Sequence, residues 1–417
     1  MPKIAKKQLI PKRKISMIYI DYSELNGKNV VLGVTGGIAA YKAAQLASDL
    51  VKSGANVDVI MTENACEFIT PATFRTITKN PVTTNTFSEP KIYEINHISL
   101  AHKADVFLIA PATANIIGKI ASGIADDMLS TTVMATKAPV IIAPAMNCDM
   151  YENPIVQENI EKLKKFGYIF AEPEEGRLAC GDVGKGRLCS GETILEKMCD
   201  ALTEKDLLNK NVLVTAGPTQ EYMDPVRYIT NPSSGKMGYA LAKNAKRRGA
   251  KVTLVSGPVN LQAPVGVEVV NVKSALQMYD EVMKRCESAD IIVKSAAVGD
   301  FRPKGYSEHK LKKDAVGIIE LEKNPDILAA VCQKAKKAVV IGFCMETRDL
   351  KQQAYEKLLR KGADLIVANN IAEKDAGFAG DNNTVCIINK DGKSEDFGNM
   401  PKLKLAGIIF DKALEII

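Results

Sequence analysis

The chain has 417 residues, of which 46% are hydrophobic and 25% are charged, a balance typical of a globular protein with two or three domains. Its net charge of +6 is already reached within the first fourteen positions, which hold no acidic residue, so the rest of the chain is balanced and nucleic acid is not an expected partner. The basic residues of this stretch are Lys3, Lys6, Lys7, Lys12, Arg13 and Lys14.

No apolar run approaches the roughly 18 residues of a membrane span, and the first residues lack the pattern of a secretory signal. We therefore expect no membrane partner and a cytoplasmic location. The nine cysteines include no C-x-x-C pair and the histidines number three, so reduced thiols are predicted and no metal ligands are assigned.

The first half of the chain is predicted to alternate short apolar strands with amphipathic helices. The strands lie within "GKNVVLGVTGG" (27–37), "SGANVDVIMT" (53–62), "ADVFLIAPATAN" (104–115) and a run ending at Pro144. Continuously apolar strands separated by helices indicate βαβ units and a parallel sheet covered on both faces.

The second half repeats this order in "NKNVLVTAGPT" (209–219), "RGAKVTLVSG" (248–257), "ADIIVKSAAVGD" (289–300) and "ADLIVANN" (363–370). The sequence thus predicts two tandem doubly wound parallel-sheet α/β domains of the Rossmann-like kind. The polar stretch around 203–210 places the boundary, and we expect a basic N-terminal extension over 1–24, one domain over 25–205 and another over 206–417. Ligands are expected at the carboxyl ends of the strands.

The first glycine turn has the spacing Gly33-x-x-Gly36-Gly37, and the following strand ends on Met61 and Thr62 without the acidic residue that an NAD site uses. NAD is therefore disfavoured. The backbone N–H groups at Thr35, Gly36 and Gly37 suit a phosphate beside a helix N-terminus, and a tight turn needed only for packing is the alternative. Small and hydroxylated residues in 110–154 suit a planar ligand approaching the backbone.

Four motifs carry a resemblance in the first half: "GVTGGIAAYK" (33–42), "NHISL" (96–100), "PAMNCDMY" (144–151) and "ACGDVGKGRL" (179–188). They resemble the flavin-dependent phosphopantothenoylcysteine decarboxylases, whereas 211–417 is similar to phosphopantothenate–cysteine ligases. The two in this order resemble the bifunctional coenzyme A biosynthesis family. The resemblance implies a flavodoxin-like first domain that binds FMN and decarboxylates phosphopantothenoylcysteine, and a second domain that joins 4′-phosphopantothenate to L-cysteine.

For the decarboxylase half, the resemblance implies that His97 is a base or orienting group, that Asn147 binds the carboxylate to be lost, and that Cys180 donates a proton from a glycine-rich flap. Without the resemblance, His97 is more simply a loop histidine and Asn147 a turn residue. The residues expected to hold FMN are Gly33, Thr35, Gly36, Gly37, Ile38, Thr62, Ser130 and Thr131.

For the ligase half, the loop in "NPSSGKMG" (231–238) lacks the Walker spacing but precedes a predicted helix. The resemblance implies that Asn231 helps bind an acyl nucleotide and that Lys310 turns it into product. The nucleotide is expected to be CTP rather than ATP, with Mg²⁺ accompanying its triphosphate. The residues expected around it are Arg227, Lys294, Ser295, Ala296, Asp300, Lys310, Pro325, Asp326, Ile327, Leu328, Phe343, Lys357 and Lys361.

Two alternatives are disfavoured by the residues present. A flavoprotein of the same fold that acts through protein contacts would lack the flap cysteine, and a flavin prenyltransferase-like enzyme would lack the flap and the second half. The resemblance also implies a homo-oligomer, with a dimeric ligase half and a higher assembly through the decarboxylase half.

Overall fold

The structure is a computed structural model that describes residues 22–86, 96–178, 181–312, 318–346, 349–370 and 380–417. Within these residues the chain forms two compact units, Tyr22–Asp206 and a second that begins at Leu207. Cys180 and nearly all of the predicted basic extension lie outside the described residues. No helix of the described part of the chain is long and apolar enough to cross a membrane.

The first unit is built on a six-stranded parallel sheet. The last two strands of the unit lie outside this sheet and form an antiparallel hairpin. The strands are β1 (Asn29–Val34), β2 (Asn56–Met61), β3 (Val82–Thr83), β4 (Val106–Ala112), β5 (Val140–Pro144), β6 (Ile169–Phe170), β7 (Glu174–Arg177) and β8 (Val183–Arg187). The helices are α1 (Ala40–Lys52), α2 (Glu63–Cys66), α3 (Pro71–Thr78), α4 (Asn96–Lys103), α5 (Ala114–Ala121), α6 (Met128–Ala135), α7 (Cys148–Glu152), α8 (Pro154–Lys165) and α9 (Gly191–Leu202).

The strand order is β3-β2-β1-β4-β5-β6. With the two-residue β3 set aside, the remaining strands follow the 2-1-3-4-5 order of flavodoxin-like folds, which confirms the predicted fold of this unit. Both faces of the sheet are covered, because Val30 and Leu32 pack into one core and Val31 into another. This two-sided burial is why the strands read as continuous apolar runs.

The second unit is built on an eight-stranded sheet with two small antiparallel hairpins. Its strands are β9 (Asn211–Ala216), β10 (Gln220–Tyr222), β11 (Tyr228–Thr230), β12 (Lys251–Ser256), β13 (Glu268–Asn271), β14 (Ile291–Lys294), β15 (Phe301–Pro303), β16 (Leu321–Lys323), β17 (Val339–Glu346), β18 (Leu365–Asn370), β19 (Asn382–Asn389) and β20 (Ser394–Pro401). Its helices are α10 (Lys236–Arg247), α11 (Ala275–Arg285), α12 (Ile327–Lys334), α13 (Leu350–Lys361) and α14 (Lys402–Leu414).

The order of the large sheet is β13-β12-β9-β14-β17-β18-β19-β20. The strands from β13 to β18 are parallel, as predicted for a doubly wound domain. The last two strands, β19 and β20, are antiparallel and extend one edge, a feature that the sequence analysis did not predict. The carboxyl ends of β9, β14 and β17 lie side by side at the centre of the sheet, where a ligand site is expected.

Candidate active sites

The glycine turn of the first unit connects β1 to α1 and is tied to the end of β4. The hydroxyl of Thr35 donates to the carbonyl of Pro111 at 2.7 Å and accepts from the backbone N–H of Thr113 at 3.1 Å. A Cβ on Gly36 would lie 2.4 Å from Cβ of Asn64, so only glycine fits there. A Cβ on Gly37 would meet only Thr113 at 3.7 Å. The turn is therefore a rigid cradle with open space at Gly37, which fits a phosphate group.

The hydroxyls expected to contact FMN already have partners within the unit. Thr62 caps α2 by accepting from the backbone of Ala65, and Ser130 is fully buried in a capping box with Asp127. The hydroxyl of Thr131 donates to a backbone carbonyl at 3.2 Å. These contacts are sufficient to explain why Thr62, Ser130 and Thr131 carry hydroxyl groups. Contact of these three residues with a flavin stays a prediction.

His97 is the second residue of α4, whose amino end lies at the sheet edge formed by the carboxyl ends of the strands. The hydroxyl of Thr136 donates to the carbonyl of Ala101 at 3.0 Å and fastens α4 next to α6. In an α/β unit of this order, the amino end of such a helix is expected at the edge that also carries the glycine turn. Its predicted role as a base stays a prediction.

Asn147 is the N-cap of α7, and both ends of its amide are engaged. Its Oδ1 accepts from the backbone N–H of Asp149 at 2.8 Å, and its Nδ2 donates to Oδ2 of Asp182 at 2.9 Å. The turn role of Asn147 is thus observed, and its predicted contact with the carboxylate to be lost stays a prediction. The sequence analysis missed Asp182, although it is an acidic residue within the motif of the predicted flap.

The predicted flap is the hairpin of β7 and β8. Gly186 accepts a hydrogen bond from the backbone N–H of Met146 at 3.0 Å, and a Cβ on it would lie 2.3 Å from the Met146 carbonyl oxygen. A Cβ on Gly184 would lie 2.7 Å from that of Cys148. The glycines of β8 are therefore explained by close packing against the loop that carries Asn147.

In the second unit, the loops after β9 and β14 are joined by hydrogen bonds. The hydroxyl of Ser295 donates to the carbonyl of Thr215 at 2.6 Å, and the backbone N–H of Ala296 donates to the Thr215 hydroxyl at 3.2 Å. The amide of Asn231 donates to the carbonyl of Ala297 at 3.3 Å. Three predicted nucleotide-site residues, Asn231, Ser295 and Ala296, thus meet at the centre of the sheet edge.

Arg227 has a structural partner that the sequence analysis missed. Its Nε donates to the buried carboxylate of Asp224 at 2.9 Å, and its Nη2 donates to the carbonyl of Leu311 at 2.6 Å. The Leu311 N–H in turn donates to Asp224 at 3.2 Å. Arg227 therefore holds the chain next to Lys310 in place, and direct contact of Arg227 with a nucleotide stays a prediction. An Asp-Pro pair such as the one at 224–225 is a common turn signal that could have drawn attention to this residue.

A group of lysines lies near the ends of β14 and β17. Lys294 is paired in register with Gly342, and Nζ of Lys357 donates to the carbonyl of Phe343 at 3.4 Å. Burial and the nearby charge of Lys357 lower the pKa of Lys294 to about 7, although Asp300 opposes this shift. A bound anion would favour the charged form of Lys294.

The predicted residues at the start of α12 complete this region. Asp326 caps α12 through the backbone N–H of Ala329 and forms an ion pair with Lys361. Ile327 and Leu328 are buried, so the core accounts for their side chains. Lys361 is therefore paired with Asp326, and it would have to leave this ion pair to make its predicted contact with a triphosphate.

The comparisons with known proteins agree with this division of the chain. A family model described as the DNA/pantothenate metabolism flavoprotein C-terminal domain matches residues 207–416, and one described as flavoprotein matches residues 18–203. The fold and these matches define a flavoprotein with a second, pantothenate-metabolism domain.

The relatives include two proteins named coenzyme A biosynthesis bifunctional protein CoaBC. The one from Bacillus subtilis is 50% identical over 387 residues, which cover 92% of this chain and 95% of the relative. The one from Vibrio cholerae is 46% identical over 373 residues, covering 88% and 94%. A crystal structure of the C-terminal domain of a CoaBC protein is 38% identical, with a TM-score of 0.44, and covers 50% of this chain and 96% of that one. The chain belongs to the family of bifunctional coenzyme A biosynthesis proteins.

Proposed function

We propose that the chain makes 4′-phosphopantetheine from 4′-phosphopantothenate and L-cysteine in two steps. The domain over 206–417 acts first as a CTP-dependent phosphopantothenate–cysteine ligase, and the domain over 25–205 then acts as an FMN-dependent phosphopantothenoylcysteine decarboxylase. Family membership supports both activities. The observation that carries the proposal is that the glycine turn of the first unit follows β1, and that Asn231, Ser295 and Ala296 of the second unit meet beside the ends of β9 and β14.

In the decarboxylase, the turn at Gly36 and Gly37 would hold the FMN phosphate through backbone N–H groups beside the amino end of α1. Bound FMN would supply the chemistry of taking up two electrons from the cysteine moiety of the substrate and returning them. The amide of Asn147 would orient the substrate carboxylate without a positive charge that opposes loss of CO₂. Cys180 would then give a proton to the enethiolate carbon.

In the ligase, the substrate carboxylate attacks the α-phosphorus of CTP and pyrophosphate leaves, which gives an acyl cytidylate. The amine of cysteine then attacks the acyl carbon, and CMP leaves with the bonding electrons. Lys294 and Lys357 would balance the triphosphate charge, and the contact between Asp224 and Arg227 positions the chain beside Lys310. Mg²⁺ stays a prediction from triphosphate chemistry, and so does the choice of CTP over ATP.

Exposed apolar side chains support the expected homo-oligomer. The two hairpins of the second unit and the chain leading into β16 expose Val226 at 57% and Ile318 at 90%, and on the glycine turn Ile38 is 61% exposed. Exposed apolar side chains on each unit are available for contacts between copies of the chain. The dimeric ligase half and the further assembly of the decarboxylase half remain part of the proposal, as does the cytoplasmic location.

The Cys180→Ser variant separates the two steps in one assay. Supplied with CTP, L-cysteine and 4′-phosphopantothenate, it should still release pyrophosphate, but CO₂ release should stop after the first turnover and phosphopantothenoylcysteine should then accumulate, because Cys180 gives its proton only after CO₂ has left. Mass spectrometry of the products provides the measurement. Normal CO₂ release by this variant would refute the role of Cys180.

The Lys310→Gln variant tests the ligase half. It should accumulate the acyl cytidylate, because activation of the carboxylate does not need Lys310 while conversion to product does. Decarboxylation of added phosphopantothenoylcysteine should stay normal and serves as the control. Unchanged overall turnover would count against the assignment.

A further inference from the structure

The amide of Asn147 already binds a carboxylate, and that carboxylate belongs to the protein. Its Nδ2 donates to Oδ2 of Asp182 at 2.9 Å. The orientation of the amide is fixed, because its Oδ1 accepts from the backbone N–H of Asp149 at 2.8 Å. A flipped amide would lose both bonds, since its NH₂ group cannot accept a hydrogen bond.

The position of Asp182 is determined by the packing of the hairpin. Its carbonyl accepts from the backbone N–H of Leu178 at 2.8 Å, which joins the two arms of the turn. Next to it, β8 approaches the backbone around Met146 so closely that Gly184 and Gly186 leave no room for a Cβ. Main-chain packing of the hairpin thus places the Asp182 carboxylate beside Asn147.

Lys185 of β8 makes further contacts that hold the hairpin in place. Nζ of Lys185 lies 3.5 Å from a carboxylate oxygen of Glu172 and 5.3 Å from the ring centre of Tyr151. The hydroxyl of Tyr151 donates to the same Glu172 at 2.7 Å. The hairpin therefore has anchors on Glu172 and on Tyr151 of α7 that do not depend on Asp182, and a change at Asp182 should leave it docked.

We propose that Asp182 is an internal competitor for the carboxylate position at Asn147, and that phosphopantothenoylcysteine must displace it to bind. This inference rests on the proposed function of the first domain. Two carboxylates beside one amide repel each other, so the substrate and Asp182 exclude one another there. The product has no carboxylate, so Asp182 keeps or regains Asn147 in the product complex. Asp182 thus weakens substrate binding and leaves product binding unaffected.

The test compares substrate and product in the full-length, flavin-loaded protein. The Asp182→Asn variant should lower KM for phosphopantothenoylcysteine by about three- to tenfold, because a neutral amide is a weaker acceptor and adds no repulsion. The inhibition constant of 4′-phosphopantetheine should stay the same. The matched control is Glu175→Gln, which removes an exposed charge from β7 of the same hairpin and should change neither value.

A second variant guards against a purely structural effect. Asp182→Glu keeps a carboxylate and should bring KM back towards that of the unaltered protein, whereas Asp182→Ala should resemble Asp182→Asn. An unchanged or higher KM in Asp182→Asn, or an equal fall in the product constant, would overturn the inference while the proposed function stands. Failure of the unaltered protein to decarboxylate the substrate would overturn both.

Discussion

Asp224 shows how a single side chain positions a part of the proposed nucleotide site that is distant in sequence. Its buried carboxylate accepts from the backbone N–H groups of Val226 at 2.8 Å and Leu311 at 3.2 Å, as well as from the side chain and backbone of Arg227. Burial by itself would raise its pKa, but these hydrogen bonds outweigh burial and lower the pKa to about 2. The ionised form is thus the one that the folded protein stabilises.

The Asp224→Asn variant should be less stable than the unaltered protein at pH 7. The folded pKa lies below the unfolded value of about 3.9, so the stabilisation is present above pH ~4 and is lost as the pH falls towards 2. The free energy of unfolding, measured with urea at a series of pH values, should therefore differ between Asp224→Asn and the unaltered protein by an amount that shrinks as the pH falls over this range. Asp280→Asn, an exposed change on α11, is the control and should show no such trend. A difference that stays constant from pH 7 to pH 2 would contradict this account.

Lys294 provides a second test at this scale. With a pKa of about 7, its amine is mostly neutral at pH 8 in the free protein, and a bound triphosphate should favour the charged form. Nucleotide binding at pH 8 should therefore take up close to ~1 proton, measured by calorimetry in buffers of different ionisation enthalpy. Lys294→Met should abolish this uptake, and Lys251→Met, an exposed change at the far end of the sheet, should not. Equal uptake in Lys294→Met and the unaltered protein would contradict this role.

At the scale of elements, the turn between β1 and α1 contains two glycines with different structural reasons. Gly36 is required by the protein itself, since its Cβ would collide with Asn64, whereas Gly37 faces open space. Gly36→Ala should therefore shift the turn and reduce both stability and flavin content. Gly37→Ala should keep the stability of the unaltered protein but lose flavin, because a ligand approaching the backbone would meet the new methyl group.

The measurement is the ratio of flavin absorbance to protein absorbance, together with the thermal midpoint of each variant. Gly118→Ala within α5, where the added Cβ has room, is the control and should change neither value. Full flavin occupancy in Gly37→Ala would show that the phosphate does not approach this turn.

Much of the fold could be predicted because buried parallel strands have a local signature. The apolar runs ending at Val34 and Ala216 each give way to a glycine turn, and both are central strands of their sheets. The antiparallel strands β19 and β20 of the second unit were missed because a turn, and not a helix, connects them. The Asp391-Gly392 pair in that turn, with Gly392 at φ +78°, is a hairpin signal that would have indicated it.

The site residues themselves were predictable only in part. Asn147 and the glycine turns follow strand ends, so their location is a local property. The contact of Asn147 with Asp182 joins positions 35 apart, and that of Asp224 with Leu311 joins positions 87 apart. Such pairs depend on how loops dock after folding, which no local pattern encodes.

For the whole molecule, we propose that each of the two units carries out one of the two reactions. Each unit has its own cores, and we propose a separate site for each, so Cys180→Ser should impair only decarboxylation and Lys310→Gln only ligation. The fold and the strand ends were accessible to sequence reasoning. The identity of the ligands comes from the family, because glycine turns and lysines of this kind serve many phosphate compounds.

The most direct test supplies the full-length, flavin-loaded protein with 4′-phosphopantothenate, L-cysteine, CTP and Mg²⁺, and follows all products by mass spectrometry. We expect equal amounts of pyrophosphate, CMP, CO₂ and 4′-phosphopantetheine, because each ligated molecule is decarboxylated by the same chain. Pyrophosphate release without CO₂, or no consumption of either CTP or ATP, would contradict the assignment of two successive steps to this protein.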